Sequence, residues 1–450
     1  MRWKTTVVLL FATIAVGSYV SLYELKQPTP GERERLSNRV VQIEPEDVTR
    51  LEVRFPSADV ALEPQHGIWR LTKPVTARAD QGLVKSLLID LNPLQAKRIL
   101  TGSNDQPLAR EQFGLNPPRG TLTVETAPSA ESGAKSAASG AKTTTLLFGE
   151  QTAVGGDRYV ALADSPNIFI IGGHAYDVLD RAPDAYRSHE LFTFEPEQAA
   201  RVTVASTDHL VTLAKSANQW YVIEPVQDLA EPRLASTLLS QLRKLQIARF
   251  LNDQPPAEPL PAWGFQAPHA RLSVELHDGT ALPDVLIGNP TSDNPQQRYV
   301  KRTDESNVYG VAADNVEQLL YDPQAFRSRK LFDITVGQVT KAQVDWEGRS
   351  WTVERADGEE VFYALRDLTL TRFIEDEPED LARYGLEPPR GMIQAWLDGQ
   401  AEPIRLRIGE IIQEGRARYG YLEGRPAIVE LPEAISDLLQ TPTVTESGGH

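Results

Sequence analysis

The chain has 450 residues, 41% of them hydrophobic and 24% charged, which is the make-up of a globular protein with room for two to four domains. A net charge of −16, with no basic stripe to offset it, argues against a nucleic-acid partner. The absence of cysteine excludes disulfides, thiolate metal sites, thiol nucleophiles and lipid attachment through a lipobox, while leaving the redox compartment open.

Residues 1–4, with Arg2 and Lys4, precede nineteen uncharged residues, Thr5 to Tyr23. A helix of that length spans ~28 Å, close to the ~30 Å hydrocarbon core, so a transmembrane anchor is predicted over 5–23. The flanking cations keep the start cytoplasmic and place the body, from about residue 24 onward, outside the cytoplasm, as in a single-pass membrane protein. A cleaved signal peptide is the alternative, with Ala15-Val16-Gly17 as a small-x-small site, although the apolar run continues past it. Residues 24–42 read as a linker.

Beyond the linker the chain repeats. GLNPPRG at 114–120 returns as GLEPPRG at 385–391, with a worn copy, GFQAPHA, at 264–270. Each follows an aromatic residue: Phe113, Trp263 and Tyr384. Downstream lie LFGE, LIGN and RIGE, with Gly149, Gly288 and Gly409, and then Arg-Tyr pairs at Arg158, Arg298 and Arg418. Upstream, IWRLTKP matches QWYVIEP, and Trp351 marks the third copy. The spans Trp69–Arg98 and Trp220–Arg249 are both 29 residues, against 21 for Trp351–Arg372. AYRSHELF and AFRSRKLF close the first two copies. These landmarks predict module one over 43–193, with a Ser/Ala/Gly-rich flexible insertion at 127–142, module two over 194–333, a shortened module three over 334–442, and a disordered tail at 443–450.

Within a module the pattern predicts an alternating opening strand (LEVRF, RVTVAS, KAQVDW), a meander ending at Pro74 or Pro225, and a leucine-rich helix. In copy two Leu234, Leu238, Leu239, Leu242 and Leu245 share a helix face. The heptad then reads as helix stop, turn and strand start: glycine takes a left-handed C′ position, the next apolar residue folds onto the core, and the prolines prevent the helix from resuming. Two further strands and a closing helix complete the unit. The predicted fold is α+β: an N-terminal transmembrane helix followed by three related, mostly antiparallel β-sheet modules with packed helices. Copy three has 12 residues from its opening strand to Trp351 where the others have 21, which predicts one lost strand.

No catalytic, cofactor-binding or metal-binding residues are assigned. The seven histidines show no zinc spacing, and His174 sits where a strand turns into a helix. The acidic run Glu375–Asp380 lacks the pattern of a calcium loop and reads as a solvated loop. SGAKTT lacks the preceding glycine of a phosphate loop, and no GxSxG occurs. Arg98, Arg249 and Arg372, like the Arg-Tyr pairs, recur once per copy, which suits a task each unit performs for itself, a salt bridge or stacking contact, over a shared ligand groove. Trp69, Trp220 and Trp351 read as core.

The tryptophan strand ending in proline, the leucine-rich helix ending in the A-x-R-x-L phrase of Arg98, the aromatic-Gly-Leu-x-Pro-Pro phrase and the following (L/F)-G strand together resemble the DUF4340 family of domains of unknown function. The resemblance covers nearly everything after the anchor. It implies a membrane-anchored bacterial protein of the kind encoded beside ABC-transporter components and gliding-motility accessory proteins, and it brings no catalytic residues. The expected function is a non-enzymatic extracytoplasmic scaffold with membrane-protein partners, its ligand unknown. The alternatives are an envelope peptide- or glycan-binding protein and an unrecognised hydrolase.

Overall fold

The computed structural model describes residues 38–92, 94–102, 108–128, 141–256, 261–412 and 416–440. The predicted anchor, the linker up to residue 37 and the tail from 441 lie outside the described residues, as does most of the insertion at 127–142. Among the described residues no helix is long and apolar enough to cross a membrane.

Module one contains β1 (Val48–Arg54), β2 (Asp59–Gln65), β3 (Ile68–Lys73), β4 (Ala77–Arg78), α1 (Gln81–Leu91), β5 (Arg98–Leu100), β6 (Gly120–Thr126), β7 (Lys142–Gln151), β8 (Arg158–Leu162), β9 (Ile168–Ile171) and α2 (His174–Leu179). They form one antiparallel sheet in the order β4-β3-β2-β1-β6-β7-β8-β9-β5. The chain meanders outward to β4, crosses one face as α1 and takes the opposite edge as β5. It then returns through the heptad to lay β6 beside β1.

Module two repeats this with β10 (Ala199–Ser206), β11 (Leu210–Ser216), β12 (Gln219–Glu224), β13 (Asp228–Leu229), α3 (Pro232–Lys244), β14 (Arg249–Asn252), β15 (Ala270–Leu276), β16 (Val285–Pro290), β17 (Gln297–Arg302), β18 (Val308–Ala312) and α4 (Ala313–Glu317). Its order, β13-β12-β11-β10-β15-β16-β17-β18-β14, is that of module one. Module three has β19 (Val339–Trp346), β20 (Arg349–Glu354), α5 (Glu359–Asp367), β21 (Arg372–Asp376), β22 (Gly391–Leu397), β23 (Ile404–Ile411), β24 (Arg418–Leu422), β25 (Arg425–Leu431) and α6 (Ile435–Leu439), ordered β20-β19-β22-β23-β24-β25-β21. The chain divides into two compact units. One runs to His189 and includes Phe250–Asp253; the other comprises Glu190–Arg249 and everything from Gln254.

The pleat sorts each sheet into two faces. In module one Val160, Phe169 and Ile171 join α1 in the main core, while Tyr159, Ala161 and Ile168 point the other way, onto Leu115 of the heptad. The helix begins where Asp80 accepts a hydrogen bond from the Leu83 N–H at 2.9 Å. In α3 the buried face is Ala235, Leu238, Leu239 and Leu242; Leu245 caps the helix and is also buried, while Leu234 is half-buried.

Three expectations need correction. The segment from Arg98 to Leu100, and its equivalents at Arg249 and Arg372, ends no helix: it is a short strand on the far edge of the sheet, paired in module one with β9. Each Arg-Tyr segment begins a hairpin (β8–β9 in module one), so three strands, not two, follow the heptad strand. Module three has lost two strands, not one. Only four residues separate β20 from α5, too few for a counterpart of β4, so Trp351 lies in the strand beside the opening strand, whereas Trp69 and Trp220 lie one strand further out.

Candidate functional site

The repeated motifs converge on one interlock per module. The short helical turn before the heptad ends at a left-handed glycine: Gly114 at φ 67°, Gly264 at 77° and Gly385 at 65°. Leu115 and Leu386 then bury completely and Phe265 nearly so. The first proline of the pair follows a cis peptide in copies one and three. Beside the turn runs the x-Gly strand, whose glycine lets a carbonyl come close. A methyl on Gly149, Gly288 or Gly409 would sit 2.2, 1.9 or 2.2 Å from the backbone oxygen of Phe113, Trp263 or Tyr384. The arginine of each Arg-Tyr pair reaches that same glycine's carbonyl, at 3.4 Å for Arg158, 3.3 Å for Arg298 and 3.4 Å for Arg418. The adjoining tyrosine packs against the aromatic before the heptad, with centroids 4.9 Å apart for Phe113–Tyr159, 6.2 Å for Trp263–Tyr299 and 4.9 Å for Tyr384–Tyr419. In module three Tyr384 also donates to Glu375, and that hydrogen bond, with burial, holds its phenol above the usual range.

The heptad's last glycine has a separate cause. A methyl on Gly120 or Gly391 would meet the ring of Phe55 at 2.4 Å or of Trp346 at 2.5 Å. Module two carries Ala270 there, and the residue opposite is Ser206.

Two arginines that the sequence marked only as part of a closing phrase are the most deeply buried cations. Arg187 stacks 3.7 Å over Phe250 and bonds Asp253 at 3.1 Å, all within the first unit. Arg327 stacks 3.5 Å over Phe373 and pairs with Asp228 at 2.6 Å and Asp376 at 2.8 Å, binding module two to module three inside the second unit. Asp228 also receives Arg425, at 2.7 Å. Two guanidinia and two carboxylates balance here, which makes burial of the charges tolerable.

Other singled-out residues serve locally. Arg98, Arg249 and Arg372 are exposed, and the pairs Arg249–Asp293 at 2.8 Å and Arg372–Glu430 at 2.6 Å are surface bridges of small energetic weight. His174 is exposed at the start of α2. Glu375 and Asp376 are not a solvated loop: they end β21, where partners hold both. Lys142 and Thr143 of SGAKTT open β7. Trp220 is buried in its core, while Trp69 and Trp351 pack partly buried against theirs. Among the described residues no group of three His, Asp or Glu is placed to hold a metal ion.

Among the hollows of the described residues, one gathers stacked aromatic and arginine side chains. In module three Trp346, Arg349, Trp351, Arg418 and Ser436 line a cleft of about 670 Å³. Arg418 stacks 4.6 Å from the centre of the Trp346 ring, and the buried Trp351 Nε1–H has no hydrogen-bond partner among the described residues. A volume of this order suits a small ligand or an inserted side chain. Sequence reasoning missed it because its residues come from four separate strands and helices.

No curated protein and no solved structure matches the chain. The family described as domain of unknown function (DUF4340) matches residues 69–268, 236–361 and 359–444, segments that cut across the structural modules. With most of its length matched, this chain belongs to the DUF4340 family.

Proposed function

We propose that this chain is a non-enzymatic scaffold of the bacterial envelope, held in the inner membrane by residues 5–23, with its three modules outside the cytoplasm and membrane-protein partners, an ABC-type transport or gliding-motility-like complex among them. The observation that carries this reading is where the repeated side chains go. Glycines, aromatics and arginines that recur in each copy are engaged in joining loop to sheet, and Arg327 with Asp228 and Asp376 fixes module two to module three. Such construction suits a rigid spacer that presents surface to partners. The test is capture of the full chain from bacterial envelope membranes after mild crosslinking. Recovery of transporter subunits is expected; a chain that fractionates with the cytosol, or a capture without transporter subunits, refutes the proposal.

A ligand-binding role is the second reading, and the module-three cleft favours it. The two readings are compatible if the ligand is part of a partner protein.

A further inference from the structure

Among the described residues, module three leaves open two places that module one fills from within the chain. The first is a strand position. In module one β2 is covered by β3, and the edge beyond is closed by the Ala79 N–H on the Trp69 carbonyl at 3.1 Å and by the Gln81 side chain on the Trp69 N–H and C=O. Module two does the same with β12 and β13 and an Ala230 N–H to Trp220 C=O bond of 2.9 Å. In module three the corresponding strand, β20, is the sheet edge. Its two-residue turn, Glu347-Gly348, has both residues at positive φ and pairs Trp346 with Arg349. That register turns Arg349, Trp351 and Val353 toward β19 for backbone bonding and aims the N–H and C=O of Ser350 and Thr352 outward. Among the described residues nothing receives them.

The second place is a ring position. Strand register makes Tyr176 of module one equivalent to Ser436: Arg158 pairs with Ile171 as Arg418 pairs with Leu431, and each residue follows five positions later in the closing helix. Tyr176 lies between Phe55, 5.0 Å away, and the Arg158 guanidinium, 3.8 Å from its ring. Module three keeps the equivalents of both neighbours, Trp346 and Arg418, but carries a serine in place of the tyrosine, and Arg418 closes directly onto the Trp346 ring, 4.6 Å from its centre. Ser436 lines the cleft beside that stacked pair, together with Arg349 and Trp351 of β20. Its wall is cationic on balance, Arg349 and Arg418 against Glu347, in a chain of net charge −16.

We propose that module three is completed in trans by an extended, acidic segment of a partner protein, which adds as a strand beside β20 and seats an aromatic side chain in the cleft, against the stacked Trp346–Arg418 pair and over Ser436. Main-chain bonds to Ser350 and Thr352 would supply affinity and the ring would supply specificity, as in other strand-addition interfaces. The site rests on the scaffold reading and names the surface through which it would act.

The probe is a fluorescent peptide copying this chain's own covering strand, Ser216–Gln227, which carries Trp220, Tyr221 and Glu224, titrated against the full chain. Saturable binding is expected, weakened at least about tenfold by replacing both peptide aromatics with alanine. Thr352→Pro removes an outward donor and leaves the β19 ladder intact; Ser436→Tyr restores the module-one filling. Each should also weaken binding at least about tenfold. No binding to the parent chain, or equal binding by the parent and Ser436→Tyr, overturns the proposal. So does self-association at this edge that Thr352→Pro abolishes without any peptide binding. Peptide binding that obeys both variants, together with an envelope capture free of transporter subunits, would keep the site and remove the scaffold reading. The opposite pair of results would keep the scaffold and remove the site.

Discussion

Gly288→Ala is the sharpest test of the interlock. The added methyl would lie 1.9 Å from the Trp263 oxygen, where real contacts do not fall below 3.0 Å, so the loop must retreat by about 1 Å. That retreat strains the Arg298 bond to the Gly288 carbonyl and pulls Trp263 from Tyr299, adding a lost hydrogen bond and an aromatic contact to the overpacking. Overpacking costs about 1–3 kcal/mol, and the two lost contacts about 1 kcal/mol each, so a loss of roughly 3–5 kcal/mol is expected. The control is Gly337→Ala, where no atom lies within 4 Å and φ is ordinary; it should be neutral or stabilising by up to about 1 kcal/mol. Urea unfolding followed by tryptophan fluorescence measures both. If Gly288→Ala unfolds within about 0.5 kcal/mol of Gly337→Ala, the interlock is not what holds the loop to the sheet.

Three further outcomes follow from the same geometry. Arg327→Met leaves Asp228 and Asp376 without their principal counter-ion and should destabilise the second unit by about 3–5 kcal/mol in urea titration, whereas exposed Arg249→Met should cost under about 1 kcal/mol. Gly391→Ala should destabilise by about 1–3 kcal/mol through its collision with the Trp346 ring and, at 2.8 Å, the Asp345 carbonyl oxygen; the ring's part of that loss should vanish in a Trp346→Ala background, since module two tolerates Ala270 opposite Ser206. Burial works against the charge on Glu423, but hydrogen bonds from Arg407 and Arg405 outweigh it and hold its carboxyl below the usual range. Its folded value is depressed, so its contribution to stability is complete above the ordinary carboxylate value of about 4.3 and disappears as pH falls through the folded value. Glu423→Gln should therefore flatten the acid limb of a stability–pH profile measured by denaturant midpoint.

Much of the module was legible because its determinants are local. A left-handed glycine after an aromatic, a proline ending a strand and a leucine face at helical spacing each act within a few residues, and Gly114, Pro74 and Leu238 do what their spacing predicts. The short edge strand is not legible in the sequence because Arg98–Leu100 follows a helix without a strong stop of its own type; only pairing with β9, about seventy residues away, makes it extended. The second lost strand of module three was hidden for a similar reason. A two-residue strand such as β4 has no periodicity to detect and exists only because β3 lies beside it.

The arginines show where reading by repetition succeeds and where it stops. Arg158, Arg298 and Arg418 recur and perform the same service in each module, so repetition identified their task as internal. Arg187 and Arg327 recur as well, yet their weight was invisible, because the partners that bury them lie far along the chain; Asp228 meets Arg425 across 197 residues. The same logic applied in reverse locates the cleft. The position held by Tyr176 in module one and by the buried Val316 in module two carries only Ser436 in module three, and the loss of two covering strands falls in that same copy, beside Trp346 and Trp351. Either change alone would expose apolar surface at a cost in stability. Their coincidence at one site is better explained by something else occupying the space, which is why filling the cleft from within by Ser436→Tyr should stabilise module three while removing its capacity to bind.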